Sequence, residues 1–348
     1  MFGHRKGFIG VDIGSTTVKL AQIEKNGSRY RLVAASMASR TAPLDTSMWL
    51  RSNPASASNE ISKALTNAKF SGRRTACTAP VAVCDIRTVS ANGESESELR
   101  STIIQQLAQI HAIPQDNIYF DFWRSQNSQP DEFNVLSIAD RWAQQILNDH
   151  KQARLSCNIL DSLPHALARA AAMTHNYNPA IPLLLFDWGE NTATVCISVD
   201  AQPIYVRSLS GQGFADLRRR IGQALDMTEI ETREVISEYG LPKDPASAAE
   251  IENIIGEILS PASIELIDEI LRTLAFLKTQ QPKLTFTNGF VFGAGAVLKN
   301  VGPWLGEKLG LTLKAWNGFD NAPQSSSRIP FELLGPAIAS SSHKWSSL

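Results

Sequence analysis

Two stretches of this chain repeat one pattern: "GFIGVDIGSTTVKLAQIEKNG" at 7–27 and "PLLLFDWGENTATVCISVDAQ" at 182–202. In each, an apolar run ends at an aspartate, Asp12 or Asp187, and a glycine follows two residues later, Gly14 or Gly189. A short polar turn then opens an alternating run that reads as a second strand. In both copies another turn and a third strand follow, "YRLVAASMAS" in the first and "PIYVRSLS" in the second. Such a meander disfavours a dinucleotide-binding start, in which the glycine turn must lead into a helix. Two halves opening on the same unit indicate an internal duplication.

Between these openings, residues 40–58 form a loop rich in Ser, Pro, Asn and Ala, and "ASNEISKALTNAKF" forms a helix capped by Ser58 or Asn59. Residues 75–153 then run strand, helix, strand, strand, helix, the pattern of a small inserted sheet with helices on one face. Its first helix starts at a cap on Ser95 or Ser97. A further strand and an apolar helix close the first half. The second half continues with helices at about 213–226, 228–238 and 247–280, a strand at "GFVFGA", a helix, a strand at "LKAW", and a last helix at "FELLGPAIASS". The expected division is a first lobe at 1–75 with 154–180 and an insert at 76–153. A second lobe follows at 181–212 with 283–332, then a helical subdomain at 213–282 and a terminal helix and tail at 333–348.

The 348 residues are 43% hydrophobic, enough for a large core or two domains. A net charge of -1 offers no nucleic-acid footprint, and "RRR" at 218–220 reads as a solvated helix face. No apolar run reaches the roughly 18 residues of a membrane span, so direct membrane insertion is not expected. Cys77, Cys84, Cys157 and Cys196 lack zinc spacing and read as thiols of a reducing compartment. The six histidines form no Ser/His/Asp or metal spacing and read as surface or helix-end residues. Trp123, Trp142, Trp188, Trp304 and Trp316 read as core or groove-wall residues, Trp188 being notable because it lies inside the second turn.

A strand ending in Asp before Gly and hydroxyl residues presents backbone N–H groups at a tight bend. Such bends bind phosphate oxygens, and the carboxylate can hold hydrated Mg²⁺. The candidate phosphate and metal residues are Asp12, Gly14, Ser15, Thr16, Thr17 and Lys19 in the first turn, with Asp187, Gly189, Asn191 and Thr192 in the second. Two such turns facing one another would clamp a nucleotide tail. The bland reading is that Asp and Gly simply dominate turns.

"GVDIGSTTVKL" and "LLLFDWGENTATV" resemble the two phosphate motifs of the actin, Hsp70 and sugar-kinase superfamily. Within it, nearly the whole chain resembles the PilM-type pilus-assembly proteins. "YVRSLSGQGF", "VFGAGAVLKNVGPWLGEKLGLTLKAWN" and "FELLGPAIA" match their later motifs, and 76–153 their inserted subdomain. The resemblance implies a duplicated α/β fold of the actin type, with two lobes and a small α+β insert. It implies ATP with Mg²⁺, the metal held by Asp12 and Asp187, and adds Gly213, Gly293, Gly295 and Ala296 to the nucleotide contacts. It also implies a groove between the first lobe and the insert for the cytoplasmic N-terminal peptide of a PilN-like bitopic inner-membrane protein. The chain would then be cytoplasmic and peripheral to that membrane, with self-association open.

Four motifs depart from the family pattern. Phe214 follows Gly213 where a second glycine is usual, obstructing close backbone approach. Arg233 and Ile236 replace the glutamate and lysine of the nucleoside helix. Ala294 replaces a glycine, and Glu190 puts a charge in the second turn that repels phosphate unless something offsets it. All four lie in the second half, so the expected function is a peptide-binding scaffold in a pilus or type II secretion platform, with nucleotide binding weakened or lost. An active Mg-ATPase related to the division protein FtsA is the alternative, and a small-molecule kinase the least favoured. The tail "SSSHKWSSL" is too polar for the membrane-anchoring helix of FtsA.

Overall fold

The computed structural model describes residues 5–27, 29–43, 56–124, 130–175, 177–243, 248–319 and 329–345. They divide into two compact units, Met1–Ala166 with Pro336–Leu348, and Leu167–Gly335. The expected loop over 40–58 lies mostly outside the described residues.

The first unit is built on a six-stranded sheet of β1 (Arg5–Lys6), β2 (Ile9–Ile13), β3 (Thr17–Asn26), β4 (Arg29–Ser39), β5 (Arg74–Ala79) and β9 (Ser156–Ser162). Strands β2, β3 and β4 form an antiparallel meander, and β5 and then β9 add in parallel on the other side of β2. The second unit repeats this plan. Its meander is β10 (Leu183–Trp188), β11 (Thr192–Val199) and β12 (Gln202–Ser210), with β13 (Asn288–Phe292) and β14 (Thr312–Ala315) added in parallel. Apart from the short β1, which pairs antiparallel with β3, both sheets therefore have three antiparallel strands followed by two parallel ones, the duplicated α/β fold of the actin class expected from sequence.

Residues between β5 and β9 carry a separate three-stranded sheet in the order β6 (Cys84–Ser90), β8 (Glu132–Ala139), β7 (Ile118–Trp123). Helix α2 (Glu96–His111) covers it, capped by Ser95, whose hydroxyl accepts from Glu98 N. Val89, Ile103, Leu107, Ile118, Phe133 and Val135 form its core. Two details differ from expectation. Strand β5 belongs wholly to the large sheet, so a border at 75/76 cuts a strand. Helix α3 (Asp140–Gln152), expected in the insert, instead buries Trp142, Ala143 and Ile146 in the core of the large sheet. A periodic pattern marks the buried face of a helix but not which sheet receives it.

Helix α1 (Ser58–Thr66) has Ala57 as its N-cap, with no side-chain cap, rather than Ser58 or Asn59. The buried Asp149 of α3 does that work from a distance, accepting from Ala57 N at 2.8 Å and from Ser56 Oγ at 2.6 Å. Next to it, His150 is fully buried, so the surface reading fails for this histidine. Burial pushes its imidazole below its ordinary value of 6.5, against a hydrogen bond from Nδ1 to the Ile146 carbonyl. The folded state thus keeps His150 neutral while the unfolded chain takes up its proton, so stability falls as pH drops below about 6.5. Denaturant melts between pH 7.5 and 5 should show this slope, reduced in His150→Leu.

In the second unit, α5 (Phe214–Ala224), α6 (Glu229–Glu238), α7 (Glu250–Ala262) and α8 (Ile264–Gln280) share one apolar core with the sheet. The single helix expected over 247–280 is two: α7, with Pro261 and its missing amide hydrogen in the last turn, ends at Ala262, and α8 begins after a turn at Ser263. After β13, a 3-10 turn at Ala294–Val297 leads into α9 (Val301–Leu309). Helix α10 (Phe331–Ser341) closes the fold, following α4 (Leu163–Ala172) as the second helix whose residues divide between the units.

Candidate functional site

Each duplicated hairpin holds its turn by its own backbone. In the first, Gly14 N donates to Thr17 O at 2.9 Å, and Arg40 N donates to Thr16 O at 2.8 Å. Ser15, Thr16 and Thr17 stay half-buried at the bend. Asp12 stands directly across the strand pair from Lys19, and Lys19 Nζ sits 2.8 Å from Asp12 Oδ2. Both side chains are almost enclosed, so this is a desolvated pair with more weight than a surface salt bridge. Expected near the phosphates, Lys19 is thus seated on the aspartate. Carboxylate, ammonium, hydroxyls and a tight bend make this turn a fitting phosphate and Mg²⁺ grip.

The second turn is closed differently. Asp187 faces the buried Thr194 at the position Lys19 takes in the first hairpin. Trp188 is fully buried: its ring meets Phe214 edge-on at 5.1 Å, and Nε1 donates to Gln212 O at 3.2 Å. Phe214 therefore obstructs no approach, since it is a core residue that anchors the start of α5. That start is tied to the turn, Phe214 N donating to Gly189 O and Ala215 N to Glu190 O. Asn191 and Thr192 complete the bend, and a methyl group at Gly213 would lie 2.0 Å from Glu190 O.

The charge of Glu190 is offset. Arg218 Nη1 donates to Oε1 at 2.9 Å and stands 2.8 Å from Oε2. Arg218 is thus largely buried, unlike the solvated helix face read from "RRR"; Arg219 and Arg220 do remain exposed, paired with Asp216. Arg218 Nη2 also reaches Glu229 Oε1 at 3.4 Å, and Arg233 Nη2 reaches the same oxygen at 2.6 Å.

Gly293 has φ +83, and a methyl group there would lie 2.7 Å from Asp187 Oδ1. One at Gly295 would lie 2.5 Å from the Trp188 ring. Backbone closeness to this chain itself accounts for Gly213, Gly293 and Gly295. Ala296 lines a cavity of about 400 Å³ with Ser237, Lys299, Gly302, Lys314 and Glu332. Together these facts separate the two turns. The donor set of the first fits a nucleotide phosphate with Mg²⁺, whereas the second carries a neutralised carboxylate at its bend and does not fit in this arrangement.

A different cavity, about 370 Å³, lies inside the first unit. It runs between β7, an outer strand of the small sheet, and β9, an outer strand of the large one. Tyr119, Leu136, Ile138, Leu147, Ile159 and Asp161 are among its lining residues, and Tyr119 and Leu147 are exposed. Burial raises the lining thiols, Cys84 to about 12 and Cys157 to about 11, so both are uncharged and inert as nucleophiles at neutral pH. At the end of β9 two histidines meet polar groups, one of them from far away in sequence. His343 Nε2 stands 3.1 Å from Asp161 Oδ2, and Ser162 Oγ and His165 Nδ1 are 2.8 Å apart. No spacing rule could reveal the first pair, which joins β9 to the C-terminal turn. The groove itself had a faint signal in "IYFDFW", whose alternation leaves Tyr119 and Asp121 outward on a strand with one free side.

Among the described residues, no helix is long and apolar enough to cross a membrane. The family model described as type IV pilus assembly protein PilM matches residues 10–335. Among solved structures, a PilM-PilN type IV pilus biogenesis complex matches with a TM-score of 0.70 and 21% identity, over 96% of each chain. The ethanolamine utilization protein EutJ from Carboxydothermus hydrogenoformans matches with a TM-score of 0.55 and 12% identity, over 97% of this chain and 89% of that one.

Proposed function

Because this chain belongs to the type IV pilus assembly protein PilM family, we propose that it is an actin-fold scaffold that holds an extended segment of a PilN-like bitopic inner-membrane protein. One observation carries this reading: an apolar cavity lies between two outer strands, β7 and β9. An extended peptide entering there meets unpaired strand edges for its backbone and apolar pockets for alternate side chains. The inserted element would then be residues 80–139, and the chain would be cytoplasmic, tied to the inner membrane through its partner.

Fluorescence anisotropy with a labelled peptide of the partner's N-terminal segment tests this. Leu147→Asp combined with Tyr119→Asp, both at exposed side chains, should weaken binding by about 30-fold or more, as loss of central anchors does. The melting temperature should stay at the wild-type value. A wild-type chain that ignores the peptide, or a double variant that binds it unchanged, defeats the proposal.

In this reading nucleotide binding is reduced, on the evidence of the closed second turn. The intact first turn favours the other reading, an active Mg-ATPase in which Asp12 and Asp187 hold the metal. There Ser15, Thr16, Gly189 and Asn191 hold phosphates, and Lys19 neutralises them. Calorimetry separates the two: Mg-ATP binding tighter than about 100 μM, lost in Asp12→Ala, would establish the second.

A further inference from the structure

Glu190 and Arg218 begin a chain of alternating charges that crosses the second unit. Glu190 in the β10–β11 turn pairs with Arg218 of α5, Arg218 with Glu229 of α6, and Glu229 with Arg233 of the same helix. The first link is the enclosed one, its side chains 15% and 11% exposed, so solvent screens it least. It is reinforced where α5 begins, since the amides of Phe214 and Ala215 donate into Gly189 and Glu190. Gly213 lets the two backbones close to a distance that a methyl group would forbid.

We propose that Glu190, clasped by Arg218, is a resident anion of the second turn. The carboxylate takes, from within the chain, the place on Arg218 that a phosphate oxygen would need, so an arriving polyphosphate finds the cation already paired. This rests on the reading that nucleotide binding is reduced, and it names the group responsible. Neutralising Glu190 should therefore restore affinity for nucleotide. It also frees Arg218, a cation already directed at the turn, to meet the incoming anion. Arg218 is then the compensating residue, and Glu190 is the excluding one.

Calorimetric titration of the full chain with Mg-ATP, and separately with metal-free ATP, tests the assignment. Glu190→Ser should tighten both by about tenfold or more, which is about 1.4 kcal/mol. Glu190→Gln keeps the shape, removes the charge, and should tighten binding in the same direction, so a folding defect in the serine variant leaves the test standing. Arg218→Met should tighten neither and should lower the melting temperature, because it strands a largely enclosed carboxylate. Unchanged or weaker Mg-ATP binding in both Glu190 variants overturns the proposal; weakening only with the metal present would mark Glu190 as a group that acts through Mg²⁺. Equal tightening by Arg218→Met overturns it too, since closure and not charge would then exclude the anion. Partner-peptide anisotropy should read every variant as wild type. Its failure in the wild-type chain would count against the groove and not against this clasp.

Discussion

Replacing Trp188 with alanine should cost about 3–5 kcal/mol of folding stability, the range for deleting a large core aromatic. Three independent contacts converge on this ring. Phe214 meets it edge-on at 5.1 Å, Gly295 lies so close that a methyl group there would come within 2.5 Å of it, and Gln212 accepts its indole N–H at 3.2 Å. Alanine leaves a void bounded by a strand end, a helix start and a 3-10 turn, which cannot all collapse inward together. Since a domain is stable by only about 5–15 kcal/mol, the variant should unfold at a markedly lower denaturant concentration. Equilibrium unfolding in urea, followed by circular dichroism, measures this. A loss below about 1 kcal/mol would show that the surroundings close over the cavity.

The second large effect is expected at Gly10. A methyl group on this residue of β2 would lie 1.8 Å from the Ala337 carbonyl oxygen and 2.7 Å from Ser341 N, both backbone atoms of α10. Backbone cannot move aside as a side chain can, so Gly10→Ala must push the C-terminal helix off the sheet. Ala337 and Ile338 of that helix are fully buried, and displacing it exposes them. We expect a loss of about 2–3 kcal/mol, the upper part of the overpacking range, with early loss of protection at α10 amides in hydrogen exchange. Neighbouring contacts support the same docking, with Ser341 Oγ donating to Phe8 O at 2.6 Å and Thr78 Oγ1 2.7 Å from Ser340 Oγ. A variant with wild-type exchange at α10 would refute the account.

Gly10 also shows how far sequence reading reaches. Within "FIGVDIG" it looks like one more small residue of a strand, and its alternation with apolar neighbours places it there correctly. The helix that demands its lack of a side chain lies 327 positions later. The same holds for Ala57, whose helix is capped by a carboxylate from α3. Nor could any local rule pair His343 with Asp161.

At the candidate site, the residues of both turns were legible because strand, aspartate, glycine and turn are adjacent in the chain. What they touch was not. Glu190 reads from sequence as an uncompensated charge, yet Arg218 arrives from α5 to neutralise it. Phe214 reads as an obstruction beside a glycine, yet it points into the core against Trp188. Pro261 is a different case: the break after α7 was missed over 247–280, although a local signal lay two residues before it in a proline that weakens its own helix.

The sequence by itself determined the duplicated meander and, through its motifs, the family, because strand alternation and turn chemistry act between residues close along the chain. Only the tertiary structure decided that Lys19 sits on Asp12, that Glu190 is clasped, and that β7 and β9 leave a groove between their edges. Charge compensation and edge exposure depend on which distant segments meet, and that is set by packing.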